Sequence, residues 1–147
     1  MDWRKSCFAK LVCIILAFTL SAEALAKDTS LIAREQLQEM FDSMSSNSGW
    51  DVSKPMVWGY FFTNATRPPL ESAAKLLASQ GYRVVDIRID DKDSPSDADS
   101  WWLHVEKIEV HTVDTLDGRN REFYGLAESL GLDSYDGMDV GPVEQKH

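Results

Sequence analysis

MVWGYFFT, residues 56–63, decides the fold. The stretch is rich in aromatic and β-branched residues and reads as a strand. Met56, Trp58, Tyr60 and Phe62 fall on one face, and Val57 and Phe61 on the other, so both faces are apolar. A strand of that kind belongs in the middle of a sheet. Downstream, Pro68-Pro69 favours a helix start. LESAAKLLASQ follows, with Leu70, Ala73, Ala74, Leu77 and Ala78 on one face and Gly81 placed to end the helix. YRVVDIRID (82–90) alternates, which predicts a half-buried strand with Val85, Ile87 and Ile89 inward and Asp86 and Arg88 outward. The acidic DDKDSPSDADS (90–100) reads as a solvated hairpin connection. It lacks the glycine and the terminal glutamate of an EF-hand calcium loop.

WWLHVEKIEVH (101–111) is the third strand. Its apolar residues sit at odd positions, Trp101, Leu103 and Val105, then at even ones, Ile108 and Val110. That slip predicts a β-bulge near Glu106-Lys107, which puts Trp102, His104, Glu106, Glu109 and His111 on one polar face. A helix is expected over 112–131. Leu116, Phe123, Leu126, Ala127 and Leu130 form its stripe, Asp114 or Thr115 its cap, and Gly131 its end. Asn120 lies in the stripe, as either a hydrogen-bonded core position or a binding group. Tyr135-Asp136-Gly137 reads as a turn before a short closing strand. Upstream, residues 30–46 give an amphipathic helix with Ala33, Leu37, Met40, Phe41 and Met44 on one side and Ser30 or Thr29 as cap. The order predicts an α+β fold: a ferredoxin-like sandwich with a mainly antiparallel sheet and two helices on one face, preceded by an extra N-terminal helix. The second sheet face, carrying Trp102 and one face of the aromatic first strand, then needs a cover: the N-terminal helix, a partner or a second copy.

The chain starts with Arg4, Lys5 and Lys10, a short apolar run from Leu11 to Leu20, and small residues ending at Ala24-Leu25-Ala26. This is the layout of a secretory signal peptide, and the run falls short of the ~20 residues that cross a bilayer. Cleavage after Ala26 is expected, giving a periplasmic or secreted protein. The chain then divides into a leader (1–26), an amphipathic helix with linker (27–54), an α+β domain (55–142) and a tail (143–147). Both cysteines, Cys7 and Cys13, fall in the leader, so the mature chain is held by its core without a disulfide. Three of the 15 basic and two of the 24 acidic residues also lie there, leaving 12 against 22, net −10. Such a surface repels phosphate backbones, which argues against direct nucleic-acid binding.

His104 and His111 are seven residues apart along a strand, about 20 Å at ~3.3 Å per residue, and cannot share one metal ion. Arg88, on the neighbouring strand, is expected to pair with Glu106 or Glu109. No thiol nucleophile survives cleavage, and no Gly-x-Ser-x-Gly elbow, phosphate loop or HExxH motif is present. The expectation is a non-catalytic protein with no cofactor and no metal.

Two stretches suggest a family. WGYFFTNATRPPLESAAKLLASQGYRV, together with WWLHVEKIEVHTVDTLDGRNREFYGLAESLGLDSYDGMDVGP, resembles the RraB family, the ribonuclease E inhibitors or regulators of ribonuclease activity B. The resemblance covers about residues 56–142 and is most specific from Arg119-Asn120 through Phe123-Tyr124 to Tyr135-Asp136-Gly137. It implies a ferredoxin-like fold and a protein-binding role; family regulators are acidic cytosolic proteins that bind ribonuclease E. The leader departs from that pattern and points to an envelope partner instead. Trp102, His104, Glu106, Glu109, His111, Tyr135 and Asp136 are the candidate contact residues, and a homodimer is a further option. The alternatives are a cytosolic inhibitor of ribonuclease E and a periplasmic enzyme or metal-binding protein using His104 or His111.

Overall fold

The computed structural model describes residues 31–144. The leader, its cleavage site, both cysteines, the Thr29 or Ser30 cap and the last three residues lie outside them. The elements in chain order are α1 (Arg34–Ser43), β1 (Met56–Asn64), α2 (Arg67–Ser79), β2 (Arg83–Ile89), β3 (Trp101–Glu109), α3 (Val113–Ser129) and β4 (Ser134–Gly141). The strands form one sheet in the order β2-β3-β1-β4, and every neighbouring pair is antiparallel. This is the ferredoxin-like arrangement. β1 is interior, as its sequence requires, but its two faces differ: Met56, Trp58, Tyr60 and Phe62 are buried, while Val57 and Phe61 are half-buried.

The buried face meets α2 and α3. Leu70, Ala73, Ala74 and Leu77 of α2 are buried as the stripe predicts, whereas Ala78 is exposed. Leu116, Asn120, Phe123 and Ala127 of α3 complete the core. The rings of Tyr60, Phe62, Tyr82 and Tyr135 all lie 4.9–5.6 Å from that of Phe123, mostly edge to face. Asn120 is a core residue. It accepts a hydrogen bond from the Tyr135 hydroxyl at 2.7 Å.

Three local expectations are corrected. Thr112 caps α3: its hydroxyl accepts from the Thr115 N–H, and Thr115 bonds back to the Thr112 N–H, so Thr115 is the reciprocal partner and Asp114 belongs to the first turn. β2 is an edge strand, not half-buried. Only Ile87 is partly covered, and Val85 is the extra residue of a bulge between Val84 and Asp86. Tyr135-Asp136-Gly137 is no turn: it lies inside β4, where the register with β1 shifts. Gly137 has φ +112°, a conformation few other residues adopt, so the glycine read as a turn signal serves a bulge.

α1 is shorter than the pattern predicts and continues as one π-helical turn, Met44–Ser48. Its Leu37 and Phe41 are buried, and Ala33 is exposed. The helix packs on α3, with Ile32 N–H donating to the Tyr124 hydroxyl at 3.1 Å and Phe41 against Trp58 at 6.0 Å. It therefore reinforces the helical side and leaves the other sheet face alone.

Candidate functional site

β3 contains no bulge. Its pairing with β1 runs unbroken from Met56 opposite Glu109 to Asn64 opposite Trp101. Strict alternation therefore splits the polar residues that the sequence placed together. Trp102, His104, Glu106 and Ile108 face away from the helices. Glu109 faces them, and His111 lies beyond the strand end, 5 % exposed. The slip in apolar spacing has another cause. Lys107 and Glu109 occupy core-side positions at the end of the sheet, where the Lys107 ammonium lies 4.7 Å from the Tyr82 ring centroid and Glu109 is paired. Ile108 and Val110, meanwhile, are 59 % and 49 % exposed.

The helix side holds a closed polar cluster. Arg119 of α3 donates to both Glu109 oxygens, at 2.9 and 3.1 Å, and also to the Tyr82 hydroxyl. Arg88, expected to pair with Glu106 or Glu109, does neither: Arg119 pairs with Glu109, and Arg83 with Glu106. His111 Nε2 lies 3.0 Å from the Tyr60 hydroxyl, and Nδ1 lies 3.0 Å from Thr115 Oγ1. Its ring sits edge-on to Trp58 at 5.1 Å. Thr115 Oγ1 in turn donates to the Thr112 carbonyl, and the Tyr60 hydroxyl also lies 3.4 Å from Glu109 Oε1. Burial raises the Tyr60 phenol well above its usual range. These groups brace α3 against the sheet.

His111 makes stability pH-dependent. Burial lowers its pKa below the ordinary 6.5, and the nearby Glu109 only partly opposes that. The unfolded chain therefore takes up the proton first, so the stability this group holds is complete above pH ~6.5 and declines as pH falls below it. Urea unfolding at pH 7.5 and 5.5 should show this loss in wild type and a smaller one in His111→Gln.

The outward face is built differently. Phe61 stacks on His104 at 4.5 Å and meets Trp102 at 6.0 Å, forming an aromatic row across β1 and β3. Beside it, Gly59 of β1 lies between Glu106 on β3 and Asp139 on β4. A side chain at 59 would strike the Asp139 carboxylate and come 2.9 Å from His104 Nε2, so glycine lets that carboxylate lie across the strand. His104 Nε2 is 3.4 Å from Glu106 Oε1. A groove of about 730 Å³ continues from here, with Val57, Arg83, Glu106, Ile108, Asp139 and Val143 in its walls. No described helix covers this face. Among the described residues, no group of three His, Cys, Asp or Glu side chains is placed to hold a metal ion.

Of the seven candidate contact residues, the structure brings together Trp102, His104 and Glu106. Glu109 and His111 are in the brace behind the sheet, Tyr135 is buried in the core, and Asp136 is exposed at the β4 bulge. Val57, Gly59, Phe61, Ile108 and Asp139 were not singled out as site residues. Only the register of β1 against its two neighbours unites them.

The family described as Regulator of ribonuclease activity B, RraB, matches residues 34–140. The match runs from the first residue of α1 almost to the end of β4, so it takes in the N-terminal helix that the resemblance over 56–142 left out. No match was found among curated proteins.

Proposed function

The chain belongs to the RraB family, the regulators of ribonuclease activity B, and from that premise we propose that it acts by binding another protein through the open sheet face, without catalysing a reaction. The observation that carries this reading is the outward apolar set of half-buried Trp102, Phe61 and Val57 with exposed Ile108, next to the His104 imidazole and the carboxylates of Glu106 and Asp139. Exposed apolar surface rimmed by charge is what a protein contact needs. We further propose that residues 1–26 export the chain, so that its partner lies in the envelope. The rival reading, inhibition of ribonuclease E in the cytosol, draws on the family match itself.

One experiment separates them. The intact mass of the protein is measured in periplasmic and cytosolic fractions of the native host, alongside RNA cleavage by purified ribonuclease E. A periplasmic chain starting at Lys27 supports export and an envelope partner. A cytosolic chain that retains its leader and slows cleavage supports the rival.

A further inference from the structure

We infer that the open face takes a basic segment of its partner, with a cationic side chain entering beside Gly59 between Glu106 and Asp139 and apolar neighbours resting on Val57 and Ile108. The inference rests on the reading of this face as the docking surface and adds the chemistry of what docks.

Three observations converge at Gly59. Carboxylates from β3 and β4 flank it, and the missing side chain lets that of Asp139 reach across β1 toward the imidazole. Glu106 is paired with Arg83, but no ion pair joins Asp139 to a cation among the described residues. His104 Nε2 is shielded from solvent and has no hydrogen-bond partner. Two converging carboxylates with only one described cation between them leave room for a second, and a guanidinium or ammonium would bond to both.

The groove supplies the rest. Val57, Ile108 and Val143 give it apolar walls, while Glu106, Asp139 and Glu144 outnumber Arg83, its one cation apart from any outside the described residues. A net charge of −9 steers basic partners toward the chain. The same charge argues against a second copy as occupant, because its carboxylates would face these across the contact.

The test uses the purified chain and three short synthetic peptides that alternate leucine with arginine, glutamine or glutamate. Amide resonances report where each binds. The arginine peptide should bind about tenfold or more tighter than the glutamine peptide, a difference of ~1.4 kcal/mol, and shift Gly59, Glu106, Ile108 and Asp139. Glu106→Gln/Asp139→Asn should remove that preference. Asp91→Asn/Asp93→Asn, which makes the same charge change on the 90–100 hairpin, should keep it. Ile108→Arg alters only an exposed side chain and should also weaken the arginine peptide, which guards against misfolding of the double variant. Equal binding of the glutamine peptide on this face would overturn the basic partner and leave the docking surface standing. No saturable binding of the arginine peptide, or shifts confined to 90–100, would overturn the inference. So would a concentration-dependent dimer that the arginine peptide cannot dissociate.

Discussion

Arg119→Ala should cost about 3 kcal/mol of folding stability, near the lower end of what breaking a buried ion pair costs. Arg119 and Glu109 are only 19 % and 15 % exposed, and the guanidinium spans both carboxylate oxygens. Truncation strands the Glu109 carboxylate behind the sheet beside the Tyr60 hydroxyl, 3.4 Å away. It also removes the planar group that lies 5.6 and 5.7 Å from the Tyr82 and Phe123 ring centroids. The pair itself need not be strongly stabilising, because desolvation offsets much of its attraction. Arg119→Met/Glu109→Met should therefore recover most of the loss. Urea unfolding of the two variants measures both effects. A loss under ~1 kcal/mol for Arg119→Ala, the value of an exposed pair, would mean that solvent reaches this carboxylate.

Phe123→Ala should cost about 4 kcal/mol, because a large side chain leaves a cavity that the surrounding rings cannot collapse to fill. Phe123 has no exposed surface and touches aromatic rings from β1, β4 and Tyr82, the residue just before β2. Those rings come from three separate parts of the chain, so relaxation around the cavity would require the sheet and α3 to move together. Phe123→Leu, which keeps most of the volume, should lose about 1 kcal/mol. Thermal unfolding followed by near-ultraviolet circular dichroism reads both variants. Similar melting temperatures for the two would contradict a rigid aromatic hub.

The architecture was legible because its signals are strong and local. Trp58, Tyr60 and Phe62 alternate through β1. Pro68-Pro69 and Gly81 bracket α2, and the α3 stripe from Leu116 to Ala127 has helical spacing throughout. The site was half legible. Trp102, His104 and Glu106 follow from period two within one strand. The error at Glu109 arose where a charged pair replaces apolar residues at the edge of the core. Lys107 and Glu109 look outward by composition, yet the ring of Tyr82 and the guanidinium of Arg119 satisfy them inside. Such compensation is tertiary, and the periodicity of β3 cannot show it. The same limit hid the β2 and β4 bulges, since Val85 and Asp136 become extra residues only when the neighbouring strand sets the register. Gly59 joined the site for a reason that no single strand records: a carboxylate from β4 lies over it.

The two faces of the sheet are built differently. The inner one, with Phe123, Arg119, Glu109 and His111, holds α3 in place. The outer one, with Trp102, Phe61, His104, Glu106, Ile108 and Asp139, is covered by no described helix and is the face proposed to meet another molecule. Variants behind the sheet should therefore act through stability, and variants in front of it through binding.

The most direct test is site-specific photocrosslinking in the native host, with a photoreactive side chain at Ile108 on the open face or at Lys75 on the exposed side of α2. A discrete protein adduct from position 108 and none from position 75 is the predicted result. Adducts of the same protein from both positions, or from position 75 alone, would contradict the open face as the contact surface.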